Sequence, residues 1–358
     1  MAHSAAANDT MRHDHFPRYP IVILAAALLV AGGASPQRTP RLSAVCEYML
    51  PSAAPEGLSG IAWLGDDRYA LAEDSGGRIH TAAIGIDETT GAITNCVFTE
   101  LRTVPNLADA EGIVCDRESG LLYVSDEAGA KILKLLPDAS PIRVPLPDFF
   151  THARPNKSLE SLSGEDSHHG AGFRLWTANE DALTVDGPPS SATNAPLVRI
   201  ACIPPFAIKK NAGSWWFYRL DAAQGGPIPG AGNDVPFNGL VGLAALGDGR
   251  LLVLERSCGL VQGEDGAPPS LITSSIYYVD TSRTKPRSPT PLRKTLLWRQ
   301  EFPFSNYEGI TLGPKLADGS RAVILVADGD VSTARVGGMT LTMQWKKALF
   351  ALRLKEPR

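Results

Sequence analysis

The sequence contains no Cys-x-x-Cys pair and no cluster of cysteine with histidine, which argues against a structural zinc site. It has no Gly-x-Ser-x-Gly elbow, so Ser59 is a poor candidate for a hydrolase nucleophile and reads as part of a wall. It has no basic excess. The 34 Lys and Arg against 38 Asp and Glu leave a net charge of -4, which argues against nucleic acid or an anionic membrane surface as a partner. Convincing amphipathic helices are missing. Apart from residues 21–31, no apolar run approaches the length of a membrane span. Cysteines are few: Cys46, Cys96, Cys115, Cys202 and Cys258 allow two disulfides and a leftover thiol in an oxidising compartment, with no pairing deducible.

The amino terminus has the order of a targeting segment. Arg12 and Arg18 supply positive charge, residues 21–31 are continuously apolar, and Gly32 and Ala34 offer small residues for cleavage before Ser35. Residues 1–34 are therefore expected to be a signal peptide, the alternative being an uncleaved membrane anchor. Residues 35–358 are expected to form one soluble domain, monomeric, periplasmic or secreted, with no stable membrane span.

What the chain does have is 34 Gly and 28 Pro, a composition suited to many short strands joined by turns, and an internal repeat. Each copy is a short apolar segment opened by Ser, Glu or Val, a turn often rich in Asp and Gly, and a second apolar strand ending in charge. Ser59-Gly60-Ile61 leads to Ala72-Glu73-Asp74, and Glu111-Gly112-Ile113 leads to Ser125-Asp126-Glu127. Glu160-Ser161-Leu162 leads to Asn179-Glu180-Asp181, Val241-Gly242-Leu243 to Leu254-Glu255-Arg256, and Glu308-Gly309-Ile310 to Val326-Ala327-Asp328. Further strand patterns follow in most copies, so the fold class is all-β: a β-propeller of four-stranded antiparallel blades. Five repeats are countable, and the wide gap between the third and fourth can hide a sixth, degenerate blade. A β-sandwich is the alternative, but it does not predict self-similar units. Residues 41–50 precede the first copy and are expected to complete the last blade.

In a blade the first strand starts, and the second ends, on the same face. That places Glu111, Glu160 and Glu308 together with Asp74, Asp126, Glu127, Glu180, Glu255 and Asp328 around one axis. So many carboxylates raise one another's pKa unless a cation relieves them, and oxygen ligands without clustered His or Cys favour Ca²⁺. The expected metal ligands are Glu111, Glu160, Glu308 and Asp126. Arg256 is placed to neutralise the ring or to hold an anionic group bidentately.

These same strings resemble the phytase-like (esterase-like activity of phytase) family. The match is carried by residues 57–62 with 69–74, by Ala110-Glu111-Gly112-Ile113 with Tyr123-Val124-Ser125-Asp126-Glu127, and by Leu159-Glu160-Ser161-Leu162. Residues 249–256 and 306–314 carry it further. The resemblance implies a propeller whose recurring acids are active or metal-binding groups, and metal-assisted hydrolysis of phosphate esters. On that reading Glu127, Glu180 and Glu255 are the catalytic carboxylates, a second-tier acid such as Glu127 or Glu180 accepting the proton of water. Arg256 and Asp74 contact a small anionic or phosphorylated substrate. A calcium-dependent lactonase-like propeller and a non-catalytic periplasmic binding protein are the competing readings.

Three other motifs are set aside. Cys96 and Arg102 have phosphatase-loop spacing, but the residues between them alternate like a strand. His168, His169, His80 and His152 read as solvated or isolated. Trp215-Trp216-Phe217-Tyr218 reads as an outer strand packed between sheets rather than a carbohydrate platform.

Overall fold

The computed structural model describes residues 39–166, 172–206, 212–229, 235–263, 268–336 and 339–357. The expected signal peptide, and the turn carrying His168 and His169, lie outside the described residues.

Among the described residues the regular elements are strands, with short 3-10 turns at Asp148–His152 and Thr281–Arg283. Blade 1 is β2 (Leu58–Gly65), β3 (Arg68–Glu73), β4 (Arg78–Ile86) and β5 (Ile93–Thr103). Blade 2 is β6 (Ala110–Asp116), β7 (Leu121–Asp126), β8 (Lys131–Leu135) and β9 (Ile142–Val144). Blade 3 is β10 (Ser161–Asp166), β11 (Phe173–Ala178), β12 (Leu197–Ile203) and β13 (Ser214–Arg219). Blade 4 is β14 (Phe237–Gly247), β15 (Arg250–Val261), β16 (Ser270–Asp280) and β17 (Lys294–Phe302). Blade 5 takes β18 (Tyr307–Lys315), β19 (Arg321–Ala327) and β22 (Ala348–Lys355) from the carboxyl end, and its outer strand β1 (Arg41–Met49) from the start of the domain. β1 pairs antiparallel with β22 from Arg41↔Lys355 to Met49↔Ala348, so the two ends of the domain close one blade. β20 (Val331–Val336) and β21 (Met339–Gln344) form a separate two-stranded antiparallel sheet.

The inner strands β2, β6, β10, β14 and β18 neighbour one another cyclically, making a five-bladed propeller. Among the described residues there is no sixth blade: the gap between the third and fourth copies holds β12 and β13, the outer strands of blade 3. The apolar residues explain the closure. Alternate residues of a strand point to opposite sheet faces, and each blade has a buried face on both sides. Leu251 and Val253 pack against blade 3 with Trp176 and Tyr218, whereas Leu252 and Leu254 pack against blade 5 with Tyr307 and Phe350. Five such interblade layers form the core. The tight turn between β14 and β15 uses Asp248 (φ 55) and Gly249 (φ 74), a left-handed backbone that these residue types tolerate.

All five cysteines are unbridged. Cys46 and Cys96 share one layer, whereas Cys202 and Cys258 belong to two others, so the disulfides that the count allows are not formed. Cys96 lies in β5, and burial pushes its thiol up to about 11, the opposite of an activated phosphatase cysteine. Among the described residues no helix is long and apolar enough to cross a membrane.

Candidate active site

The pairing register turns the sequence repeat into rings. Ile61↔Leu71, Ile113↔Val124, Leu162↔Thr177, Leu243↔Val253 and Ile310↔Leu325 occupy the same place in the five blades. Two residues before the first member of each pair stand Ser59, Glu111, Glu160, Val241 and Glu308. Three residues after the second stand Asp74, Glu127, Glu180, Arg256 and Asp328. The first set forms an inner ring and the second an outer ring at the same end of the axis.

The residue between the inner ring and the apolar pair is Gly60, Gly112, Ser161, Gly242 or Gly309. A Cβ on Gly60 would come under 3.0 Å from the Glu111 carbonyl oxygen, and one on Gly112 under 3.0 Å from the Leu162 amide. Inner strands this close leave no room for a side chain, and the close approach draws the glutamates together. Immediately below, Ile61, Ile113, Leu162, Leu243 and Ile310 plug the channel, leaving a void of about 10 Å³, room for one water at most.

Electrostatics follow from this crowding. Burial pushes Glu111 and Glu160 well above the carboxylate range, and the neighbouring acids add to it: Glu160 and Glu308 around Glu111, Glu180 and Glu308 around Glu160. Burial likewise raises Glu308 and Asp109. In the outer ring, burial with repulsion from neighbouring acids takes Asp74 to about 6, Glu127 to about 7 and Asp328 to about 8. Three groups of carboxylates each bring oxygens within 4.8 Å of one another: Asp109, Glu111 and Glu127; Glu127, Glu160 and Glu180; and, on the rim, Asp74, Asp328 and Asp330.

Two cations serve one side of the site. Arg256 places Nη2 2.9 Å from Glu180 Oε1 and Nη1 2.9 Å from Glu308 Oε1, and also donates to Asn306 Oδ1 at 3.2 Å. Its Nε is buried without a hydrogen-bond partner. Burial works against its charge, but Glu308, Glu180 and Glu160 hold it protonated. Lys157 Nζ lies 2.7 Å from Glu180 Oε2 and 4.1 Å from the centre of the Phe237 ring. Glu180 reaches Arg256 by crossing Gly239, where a Cβ would collide with it. Nothing comparable faces Glu111, whose surroundings only raise it.

The expected site residues divide accordingly. Glu111, Glu160, Glu308, Glu127, Glu180 and Arg256 come together at the axis, and Asp74 joins the rim group. Two expectations are corrected. Glu255 is not at the axis: it accepts from Tyr218 Oη at 2.6 Å, Asn238 Nδ2 at 2.6 Å, the Asp221 amide at 3.0 Å and Lys294 Nζ at 2.6 Å. It precedes the ring residue Arg256 by one, so strand alternation turns it to blade 3. Asp126 precedes Glu127 in the same way: its Oδ2 meets Lys131 Nζ at 2.9 Å and the Ala108 amide at 3.1 Å, while its Oδ1 is buried without a hydrogen-bond partner. Glu73 is the blade 1 equivalent, held by Arg78 and by His80 at 2.8 Å, so His80 is not isolated. Lys157 and Asp109 are functional candidates that the repeat does not reveal, since both sit on loops before the inner strands. Their one signal is proximity: Lys157 stands three residues before Glu160, and Asp109 two before Glu111.

Fold and site together define a five-bladed propeller with a cluster of acids at one end of its axis. Residues 54–331 match the family described as "Phytase-like: Esterase-like activity of phytase", and the chain belongs to it. Solved structures similar to it include a streptogramin B lyase at 15% identity, over 88% of this chain and 98% of that one with a TM-score of 0.34. A PQQ-bound aldose sugar dehydrogenase from Streptomyces coelicolor matches at 14% identity, over 88% and 99%, with a TM-score of 0.34. The WD40 β-propeller domain of Doa1 matches at 12% identity, over 88% and 97%, with a TM-score of 0.35. No curated protein matches the chain.

Proposed function

We propose that this chain is an exported, calcium-dependent hydrolase of phosphate esters working at this axial cluster. The observation that carries the reading is the uneven distribution of charge there. Asp109, Glu111 and Glu127 offer three oxygens within 4.8 Å and make no salt bridge to a basic side chain among the described residues, Lys157 acting on Glu127 only as a weaker, more distant charge, whereas Glu180 and Glu308 are already matched by Arg256 and Lys157. The donor set is carboxylate oxygen alone and fits a hard cation. The uncompensated half is where a cation relieves most repulsion, so Asp109, Glu111 and Glu127 would hold it.

A bound Ca²⁺ would supply Lewis-acid polarisation of a phosphoryl oxygen and a more acidic water. On the other side, Arg256 keeps a buried Nε–H without a partner, and an unmet buried donor costs roughly 1–3 kcal/mol. An anionic oxygen of the substrate would satisfy it. Once a cation on the neighbouring acids, with Arg256, holds Glu160 ionised, its proton affinity, raised by burial and by Glu180, would suit it to take a proton from attacking water. The apolar plug below excludes bulk solvent from that face.

The test is phosphate release from p-nitrophenyl phosphate and bis-p-nitrophenyl phosphate by the purified protein, with calcium and with chelator. Calcium-dependent turnover that falls at least about a hundredfold in Glu160→Gln is expected from loss of a general base. Release that ignores calcium, or no release with either ester, refutes the reading. A lactonase-like activity is the second reading, favoured by the fact that both cations of the cluster are already paired with acids. It predicts calcium-dependent opening of a sugar lactone by a protein inert to both esters.

A further inference from the structure

The axial channel has a second, chemically opposite end. Beyond the apolar plug, where the inner strands finish, the channel opens into a cavity of about 220 Å³ whose wall includes Trp63, Arg117, Arg321 and Thr311. Trp63 is fixed: its Nε1 donates to the Asp66 carbonyl at 2.9 Å, and its amide donates to Thr311 Oγ1 at 3.2 Å. Arg117 and Arg321 both stand over this one indole, with Cζ 4.9 and 5.6 Å from a ring centre. Arg321 uses Nε to hold the Gly313 carbonyl at 2.9 Å, which leaves its terminal nitrogens uncommitted by that bond.

No salt bridge joins either arginine to a carboxylate among the described residues, in a molecule where acids outnumber bases. The two acids of the wall do not fill that role. Glu165 is engaged by Arg174 at 3.2 Å and by the Gly249 amide at 3.4 Å, and Asp166 is exposed at the mouth. Burial, then repulsion from Arg117, lowers the pKa of Arg321, and attraction from Glu356, itself paired with Arg250 at 2.9 Å, offsets only part of this. A bridging anion removes that repulsion and meets two forked donors. The floor is aliphatic, made by Ile61, Ile113, Leu162 and Ile310, while Ser163 and Thr311 add hydroxyls to the wall. The cavity is larger than a bare oxyanion needs.

We propose that this cavity is a binding site for a small organic carboxylate with an apolar body. The carboxylate lies between Arg117 and Arg321, and the body packs on Trp63 and the aliphatic floor. The site is separate from the axial carboxylates and independent of the function assigned to them, because the five-residue plug stands between the two.

Calorimetric titration of the full protein with benzoate, and separately with inorganic phosphate, tests this. Benzoate is expected to bind one to one, and phosphate more weakly. Loss of one charge-assisted contact in Arg117→Gln, on an exposed side chain, should weaken benzoate about tenfold or more. Arg321→Gln should do the same, while Glu160→Gln at the other end of the channel should leave benzoate binding unchanged. No benzoate binding, unchanged affinity in Arg117→Gln, or phosphate binding as tightly as benzoate each overturns the proposal.

Discussion

Glu127→Gln isolates the tension in the axial site. Glu127 is buried, and burial with repulsion from Glu180 and Asp109 lifts its carboxyl from 4.5 to about 7. One pKa unit corresponds to about 1.36 kcal/mol, so ionising this group in the cation-free protein costs roughly 3 kcal/mol. The direction follows from proton binding. Between the unfolded and folded pKa values the folded state holds the extra proton, so stability is highest below about 4.5 and falls as pH rises through about 7. Glutamine carries no charge, and its carbonyl can still accept from the Ser158 amide, which donates to Glu127 Oε1 at 2.6 Å.

In chelator near pH 8 the variant should therefore be more stable than the parent by about 3 kcal/mol, and near pH 5 the two should converge. Calcium should close most of that gap. At a hundred times its dissociation constant it stabilises the parent by about 2.7 kcal/mol, and the variant, lacking one ligand, should gain much less. Thermal and denaturant unfolding of both proteins, with and without calcium at the two pH values, measures this. If Glu127→Gln is the less stable protein near pH 8 in chelator, the argument from repulsion is wrong. If calcium stabilises both equally, Glu127 is not a ligand.

Two further outcomes test the frame that holds the site. Gly112→Ala should lower stability by about 1–3 kcal/mol or prevent folding, because its Cβ meets a neighbouring backbone that has nowhere to move; Gly226→Ala, with nothing nearer than 3.9 Å, should be close to neutral in the same unfolding assay. Glu255→Gln should destabilise the protein by about 1–3 kcal/mol through its half-buried partner Lys294 and its buried partner Tyr218 while leaving the calcium response intact; a lost calcium response would return Glu255 to the axial site.

The repeat is legible in the sequence because it records a steric demand. Gly60, Gly112, Gly242 and Gly309 recur where inner strands nearly touch, and the residue before each, Glu in blades 2 and 5, is carried to the same height. Blade number is less legible, since residues 182–236 hold two outer strands and loops whose lengths follow no period. Glu255 and Asp126 mislead for a simpler reason. Each adjoins a ring residue, and only the register, not the composition of the string, says which of two neighbours faces the axis. Lys157 escapes altogether because a loop, not a repeat position, delivers it to Glu180.

The register also explains why a five-fold frame yields a one-sided site. Blade 4 departs twice: Val241 stands where three other blades place Glu, and Arg256 where the other four place Asp or Glu. With an acid at both positions the axis would carry only like charges, with Lys157 as the one counterweight. Arg256 instead binds the carboxylates on either side of its blade, Glu180 of blade 3 and Glu308 of blade 5. Val241 removes a charge beneath it and packs in the layer between blades 4 and 5. Repulsion is thereby discharged on one flank and concentrated on the other, at Asp109, Glu111 and Glu127. A repeat that varied gradually around the ring would spread the charge evenly. Two changes in a single blade give the site a cation-seeking wall and, across from it, a guanidinium with a donor to spare.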